Sequence, residues 1–285
     1  MVRINKSPAE TALSRAVIRW GLSRPILVAE SATSIIYRVG LREGGAAALK
    51  LFKPDITEEI RGTIVLAWYG GEGAADVFDA TSDAVLMEWL PGPALSSLID
   101  AGEDAEAAEV IAGVIASLHA PREGEIHGMI SLEDWFQALI RGNPRLWPGA
   151  AHDLFARASG IALALLDSPS RTIPLHGDLH HGNILHAPRG WLAIDPKGLV
   201  GDPAYEVAPV FLNPMDNRAL CTDPQRIETL TSIFATKLGL DSGRVLRFAV
   251  VHAALSACWS LAAGEEPRHA VAVLERLLTL LPERS

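Results

Sequence analysis

Short runs of apolar and β-branched residues in the first ninety positions predict a small antiparallel sheet. A polar loop at 30–34 and a glycine turn at 42–45 separate the first runs, and helical spacing at 9–20 and 56–68 predicts two helices. The strands are predicted at 25–29, 35–39, 46–51, 75–78 and 84–90. We therefore expect an antiparallel sheet with one helix before it and another after its third strand.

The pattern changes to helical periodicity after the Pro-Gly-Pro segment at 91–93, which is a natural boundary between two lobes. Helices are predicted at 95–99, 105–118, 132–140, 151–167, 225–238, 243–263 and 265–281. No period of repeat length recurs, so a solenoid is excluded. The fold class is α+β, with an N-lobe at 1–90 and a larger, mainly helical C-lobe at 91–285.

Composition favours a protein that binds neither membrane nor nucleic acid. The most apolar stretch, 246–263, is interrupted by Arg247 and His252, which indicates a buried helix and not a membrane span, although mean hydropathy is +0.20. A net charge of −9 disfavours nucleic acid and suits a cationic partner. The sequence has two cysteines and no apolar leader before Pro8, so we expect the protein to act in a reducing cytoplasm. We also expect a monomer or weak dimer.

The densest group of chemically active residues lies at 176–183. It combines Asp178 and Asn183 with three histidines and two glycines. A predicted hairpin at 184–194 would fold Asp195, twelve residues beyond Asn183, back beside them. Two carboxylates and an amide oxygen are hard ligands, so this spacing predicts a magnesium–phosphate site.

The sequences at 176–184 and 193–201 resemble those of the aminoglycoside phosphotransferases, which have a protein-kinase-like fold. Within that family they are most similar to the streptomycin 6-phosphotransferases, as is the segment 254–259 followed by Gly264, Glu265 and Glu266. The resemblance thus extends from about residue 26 to residue 266. It implies an enzyme that uses ATP and Mg²⁺.

The resemblance also implies roles for individual residues. Asp178 would accept the proton of the substrate hydroxyl, and Asn183 and Asp195 would hold Mg²⁺. Lys50, at the end of the third predicted strand, would bind the α- and β-phosphates. Its partner would be an acid at the start of the next helix, where Glu58 and Glu59 are both available and Glu59 is chosen.

Other expected contacts concern the adenine ring and the phosphates. The connector formed by Glu88, Trp89 and Leu90 would contact adenine through its main chain, with Met87 behind the base. The polar loop at 31–34 lies where a phosphate-covering loop belongs. It has no glycine, so it departs from the G-x-G-x-x-G pattern of protein kinases.

The acceptor side is less constrained by the sequence. Asp202 and Glu206 could face a cationic substrate, or they could be an N-cap and a structural ion-pair partner. Glu265 and Glu266 could recognise guanidinium groups or could simply be solvated. His180 could lie near the acceptor or brace its loop.

The expected activity is transfer of the γ-phosphoryl group to an aminoglycoside hydroxyl, with the 6-hydroxyl of streptomycin favoured, conferring resistance. Another acceptor is an alternative: choline, hydroxyurea, methylthioribose, homoserine or a fructosamine. Two remoter alternatives are a non-catalytic nucleotide-binding module and a transition-metal hydrolase. The hydrolase would use the cluster His176, Asp178, His180 and His181.

Overall fold

The antiparallel sheet predicted for the N-terminal part of the chain is present. The computed structural model describes residues 8–53, 57–142, 147 and 149–281. The strands are β1 (Ser23–Glu30), β2 (Ser34–Gly40), β3 (Ala46–Phe52), β4 (Val77–Ala80) and β5 (Ala84–Glu88). They form one sheet in the order β1-β2-β3-β5-β4, and every neighbouring pair is antiparallel. Gly44 and Gly45, at φ +95° and +85°, make the turn into β3.

The central strand of this sheet carries a cation. Residues 47–51 of β3 are all buried, and Lys50 is among them. A buried ammonium group is costly unless anions compensate it. The position of Lys50 therefore requires acidic partners from neighbouring elements.

Helices cover both faces of the sheet. They are α1 (Pro8–Trp20) and α2 (Thr57–Tyr69). Ala16 of α1 packs with Leu49 and Leu86 in one apolar cluster, while Val65 and Leu66 of α2 belong to the main core. The predicted start of the second helix, residue 56, lies outside the described residues.

The rest of the chain is mainly helical, as predicted. The helices are α3 (Ser96–Asp100), α4 (Asp104–Leu118), α5 (Leu132–Trp135), α6 (Gln137–Ile140), α7 (His152–Leu166), α8 (Ala208–Leu212), α9 (Arg218–Cys221), α10 (Pro224–Leu238), α11 (Ser242–Ala262) and α12 (Arg268–Leu280). Helix α11 packs against α7, α8, α10 and α12. Among the described helices it alone is long and apolar enough to cross a membrane, but 61% of its apolar window is buried in the protein. That burial fits the predicted core helix.

Two helix predictions are corrected. The helix predicted at 132–140 is interrupted at Phe136, where ψ is 1° and the ring packs on Tyr205 with centroids 5.3 Å apart. The helix predicted at 265–281 begins only at Arg268, so Glu265 and Glu266 lie in a loop. Pro267 explains the second difference, because a residue before proline avoids helical backbone angles.

Five further short strands lie in the mainly helical part of the chain. They are β6 (Ile130–Ser131), β7 (Ile173–Leu175), β8 (Ile184–Ala187), β9 (Gly190–Ala193) and β10 (Leu199–Gly201). Strands β8 and β9 form the predicted hairpin, and β10 lies between β6 and β7. This arrangement places the loops at 176–183 and 194–198 side by side, because the first follows β7 and the second precedes β10.

Candidate active site

The loop at 176–183 is held by its first histidine. His176 is fully buried; its Nε2 donates to the carbonyl oxygen of Ile194 at 2.8 Å, and its Nδ1 accepts the amide of Asp178 at 3.3 Å. These bonds assign the proton to Nε2 of a neutral ring. Burial lowers the pKa of His176, which agrees with that assignment. The ring therefore joins the loop that carries Asp178 to the loop that carries Asp195.

Glu206 lies beneath the same loop and accepts its backbone amides. Its Oε2 accepts the amide of His176 at 2.9 Å and Nε2 of His119 at 3.0 Å, and its Oε1 accepts the amide of Gly177 at 2.8 Å. Burial alone would raise the pKa of Glu206, but the hydrogen bonds from His119 and Gly177 hold it below its usual range. The side chain is 0% exposed, so the prediction that it faces an acceptor is wrong. Buried amides need an acceptor, and Glu206 provides it.

Asp202 is also a structural carboxylate, and the prediction that it faces the acceptor is wrong as well. It is the N-cap of the 3-10 turn Pro203–Tyr205, and its Oδ1 accepts the amide of Ala204 at 2.9 Å. Its Oδ2 accepts the amide of Ser170 at 2.7 Å and Nε of Arg244 at 2.9 Å. The buried side chain has no free face for a ligand. The capping alternative is the one observed.

Asp178 and Asn183 are linked within the loop. Nδ2 of Asn183 donates to the main-chain oxygen of Asp178 at 2.9 Å and lies 3.5 Å from its Oδ2. The amide oxygen of Asn183 is therefore available as a ligand. Burial raises the pKa of Asp178 to about 7; the cation of Lys197 opposes the rise, and the negative charge of Asp195 reinforces it. The side chain of Asp178 is 29% exposed, so a substrate can reach it.

Lys50 connects the sheet to both α2 and the second loop. Its Nζ forms ion pairs with Oε2 of Glu59, in the first turn of α2, and with Oδ1 of Asp195. Glu58, the other candidate, pairs instead with Lys197 at 2.7 Å. The choice of Glu59 as the partner of Lys50 is thus the pairing that the structure shows.

Asp195 combines an unusual backbone conformation with a stabilised negative charge. Its φ of 63° lies in the left-handed region, which costs a non-glycine residue about 1 kcal/mol or more and is common at functional sites. Burial alone would raise the pKa of Asp195, but the cations of Lys50 and Lys197 hold it below its usual range. The group is therefore an ionised carboxylate, the form that binds hard metal ions.

These polar side chains line one cavity together with apolar residues. The polar lining residues are Lys50, Glu59, Asn183 and Asp195. The apolar lining residues include Ile36, Leu66, Val85, Met87 and Ile194. A cavity lined by both apolar and charged side chains suits a ligand that combines a flat ring with an anionic, metal-binding chain.

Two glycines allow α2 to approach the loop at 194–198 closely. A Cβ atom on Gly62 would overlap the carbonyl oxygen of Pro196. A Cβ atom on Gly198, whose φ is +72°, would lie 2.9 Å from the main-chain oxygen of Arg61. The main chain of α2 therefore packs directly on the residues that follow Asp195.

The predicted adenine connector follows β5 and is fixed by its own side chains. The carboxylate of Glu88 accepts two hydrogen bonds from Arg189, at 3.0 and 2.5 Å. Trp89 packs under an arginine guanidinium, and Leu90 is buried. The side chains of Glu88 and Leu90 are thus engaged within the protein, and the residue before the connector, Met87, lines the cavity.

The remaining predicted substrate residues occupy two places. Nδ1 of His180 accepts the amide of Gly182 at 3.1 Å, and burial lowers the pKa of His180 to about 4, so its ring is neutral and braces the loop. Glu265 and Glu266 are exposed between α11 and α12, where Glu266 pairs with Arg268 at 2.5 Å. Their recognition of a substrate stays a prediction.

The geometry does not form the centre that a transition-metal hydrolase requires. In the described part of the chain, no three His, Cys, Asp or Glu side chains are grouped to hold a metal ion. His176 uses both ring nitrogens for hydrogen bonds. His181 is buried, and burial lowers its pKa to about 4.

Sequence reasoning missed two features beside the loop. The sequence assigns no role to Lys197, which lies within the segment 193–201, although its Nζ is 3.7 Å from Oδ2 of Asp178. Nε1 of Trp135 donates to the hydroxyl of Tyr205 at 2.8 Å, and that hydroxyl lies 2.9 Å from Nδ1 of His252. These three residues are far apart in sequence, so no local pattern could connect them.

The chain is similar to known resistance kinases over most of its length. Residues 19–264 match the family model described as aminoglycoside/hydroxyurea antibiotic resistance kinase. The streptomycin 3''-kinase of Klebsiella pneumoniae is 36% identical over 251 residues, covering 86% of this chain and 91% of the relative. The hydroxyurea phosphotransferase of Kitasatospora aureofaciens is 33% identical, with 91% and 76% covered, and the streptomycin 6-kinase of Streptomyces griseus is 30% identical, with 88% and 83% covered.

Solved structures confirm the predicted fold class. Aminoglycoside phosphotransferase APH(4)-Ia, in ternary complex with AMP-PNP and hygromycin B, gives a TM-score of 0.66 at 16% identity, covering 94% of this chain and 97% of that one. A choline/ethanolamine kinase family protein from Mesorhizobium loti gives 0.67 at 16% identity, with 96% and 95% covered. At these identities the likeness concerns the fold. The family match and the curated relatives show that this chain belongs to the aminoglycoside/hydroxyurea antibiotic resistance kinases.

Proposed function

We propose that this enzyme transfers the γ-phosphoryl group of ATP to a hydroxyl group of streptomycin. The observation that carries the proposal is the meeting of Lys50, Asp195 and Asn183 in one cavity, with Asp178 bonded to Asn183 beside it. Phosphoryl transfer needs groups that position the reactants and neutralise charge, and these are such groups. The family match supports the reaction class.

The nucleotide would lie with adenine against the apolar lining residues and its phosphates toward Lys50. Glu59 orients Lys50, and Thr33 donates to Oε1 of Glu59 at 2.6 Å, which ties the β1–β2 loop to the same network. Ser31 accepts the amides of Thr33 and Ser34 at 3.2 and 3.1 Å. Hydroxyl-rich turns of this kind give the loop a fixed shape without the glycines of protein kinases.

Asn183 and Asp195 fit a magnesium ion. Both line the cavity, Asp195 is held ionised by neighbouring cations, and the amide oxygen of Asn183 is not used in the Asp178 contact. These are the hard oxygen ligands, few in number, that Mg²⁺ takes beside phosphates. When bound, the ion would supply neutralisation of phosphate charge.

Asp178 would orient the acceptor hydroxyl and take its proton. Its carboxylate is accessible and is fixed by a loop whose amides bind His176 and Glu206. Correct placement of two reactants can contribute about 7–11 kcal/mol at best, so a rigid loop is worth more here than a strong base.

The acceptor is proposed from charge and kinship. A net charge of −9 suits a polycation, and relatives named streptomycin kinases are 30–36% identical to this chain. Those relatives are named for two different positions, 3'' and 6, so the predicted 6-hydroxyl has a direct competitor. The consumption of ATP and two buried free cysteines support the cytoplasm as the place of action.

The test is a coupled ADP-release assay with Mg-ATP and streptomycin, hygromycin B, hydroxyurea or choline as the acceptor. We expect acceptor-dependent turnover with streptomycin, and NMR of the product assigns the phosphate to the 6- or the 3''-hydroxyl. Turnover with hydroxyurea alone would change the acceptor and keep the chemistry. No acceptor-dependent ADP release, with Mg-ATP still bound, would favour a nucleotide-binding module and refute the proposal.

A further inference from the structure

The catalytic loop has no cation of its own. Residues 178–183 contain neither lysine nor arginine. The transition state of phosphoryl transfer spreads negative charge over three equatorial oxygens of the moving group, next to the acceptor and its base. Lys50 is committed to Glu59 and Asp195 on the nucleotide side. A second positive group beside Asp178 is therefore needed to stabilise the negative charge of this transition state.

Lys197 is the residue that the fold brings to that place. Its Nζ lies 3.7 Å from Oδ2 of Asp178 and 2.7 Å from Oε1 of Glu58. Its amide donates to the main-chain oxygen of His176 at 2.7 Å, so its backbone is anchored to the start of the catalytic loop. The close packing of Gly62 on Pro196 fixes the preceding residue.

The distances describe a shared cation and not a closed pair. The ammonium group donates to Glu58 at hydrogen-bond distance, whereas the Asp178 carboxylate is too far for a hydrogen bond and near enough for Coulombic attraction. The side chain of Lys197 is 25% exposed and that of Glu58 36% exposed. The ammonium-bearing side chain of Lys197 therefore remains partly accessible to a ligand.

We propose that Lys197 is a catalytic residue that binds the phosphoryl group as it moves toward the acceptor oxygen, and that Glu58 holds it in place before ATP arrives. This inference rests on the phosphoryl transfer proposed above. In that reaction the bond from Pγ to the bridging oxygen breaks, with its electrons left on ADP. A new bond forms from phosphorus to the acceptor oxygen, whose proton passes to Asp178.

The charge requirements of that step agree with the position of Lys197. A lysine is a compact point charge with three donors on a flexible stem, so it can leave Glu58 and bind an equatorial oxygen. Its interaction is then stronger in the transition state than in the ground state, and such an interaction raises kcat more than it lowers KM. The two neighbouring acids of α2 thus serve two lysines: Glu59 holds Lys50, and Glu58 holds Lys197.

The experiment compares K197M, K197R and E58Q with the matched control K237M. Lys237 forms a similar pair with Glu109 at 2.7 Å, but on the surface of α10 and away from the cavity. The assays are steady-state kinetics with ATP and acceptor, thermal unfolding, and affinity for Mg-ADP with and without aluminium fluoride, which mimics the planar phosphoryl group. The last assay needs no acceptor, so it still reports if streptomycin is the wrong substrate.

We expect K197M to lower kcat by about 100- to 1,000-fold, as for loss of one transition-state donor, with KM for ATP changed by less than about threefold. Its affinity for Mg-ADP should be unchanged while the gain from aluminium fluoride is lost. K197R should recover part of kcat and part of the fluoride gain, and K237M should retain both. E58Q should lower kcat by less than K197M does, because Lys197 is then present but held less firmly. If K197M keeps the aluminium fluoride gain, or if E58Q loses as much activity as K197M, the proposed role is wrong. A lower melting temperature of K197M with a normal fluoride gain would assign Lys197 a structural role and refute it too.

Discussion

The replacement Glu206→Gln tests how the catalytic loop is supported. The native carboxylate accepts three hydrogen bonds, two at Oε2 and one at Oε1. Glutamine keeps one oxygen and puts an NH₂ group in place of the other, so at least one buried donor of the loop loses its acceptor. The best orientation keeps the oxygen on His176 and His119 and leaves the amide of Gly177 unpaired.

The expected cost follows from these contacts. A hydrogen bond to a charged group contributes about 1.5–3 kcal/mol, and leaving a buried donor unpaired costs about 1–3 kcal/mol. Because the two effects overlap at Gly177, we expect Glu206→Gln to lower the free energy of unfolding by about 2–4 kcal/mol at neutral pH. Activity should fall as well, because the same amides position Asp178.

The pH dependence gives the sign of the effect. The folded-state pKa of Glu206 is lowered, so its carboxylate stabilises the fold fully above the unfolded-state pKa of about 4.3. That contribution disappears as the pH falls through the lower, folded-state value. The stability difference between wild type and variant should therefore be constant from about pH 8 to 5 and shrink below about pH 4.

Urea denaturation across this pH range measures the difference. The control Glu109→Gln removes a carboxylate that is 51% exposed, and it should change stability by less than about 0.5 kcal/mol. A Glu206→Gln effect as small as that of the control, or one that grows toward low pH, would refute the reasoning.

Two further predictions concern the reacting groups. Asp178→Ala should abolish acceptor-dependent ADP release while thermal unfolding without ligands stays close to wild type; retained turnover in the coupled assay would exclude Asp178 as the base. Asp195→Asn should weaken Mg-ATP binding about tenfold or more, because a ligating carboxylate is lost, and unchanged affinity in titration calorimetry would count against its metal role.

The sequence predicted well what depends on local spacing. The Asp178–Asn183 loop, the hairpin after it and the lysine in the third strand each follow from short-range pattern, and the structure brings Lys50, Asn183 and Asp195 to one cavity. The choice between two adjacent acids as the partner of Lys50 is harder to predict, because Glu58 and Glu59 are offset by about 100° around a helix and either could point inward. The rotation of α2 is set by tertiary contacts such as that of Gly62 with Pro196.

The errors came from partners that are distant in sequence. The sequence leaves Asp202 and Glu206 open between an acceptor contact and a structural role, because their donors include Arg244, 42 positions away, and His119, 87 positions away. No residue close in sequence to either acid indicates those donors. Lys197 is a similar case, because its ion-pair partner Glu58 lies on α2, far earlier in the sequence.

Gly62→Ala distinguishes the tertiary role of this glycine from its effect on the helix. In an open helical position, glycine to alanine stabilises by up to about 1 kcal/mol, because alanine is the better helix former. At Gly62 the new methyl group would overlap the carbonyl of Pro196, and overpacking of this kind costs about 1–3 kcal/mol. We expect a net loss of stability, and weaker Mg-ATP binding because α2 can no longer hold Glu59 on Lys50.

Gly113→Ala on α4, where a Cβ meets nothing within 4 Å, is the matched control and should stabilise. Thermal unfolding and titration calorimetry of both variants decide the matter: a Gly62→Ala protein as stable as the Gly113→Ala protein, with normal nucleotide affinity, would show that the two lobes do not depend on this contact.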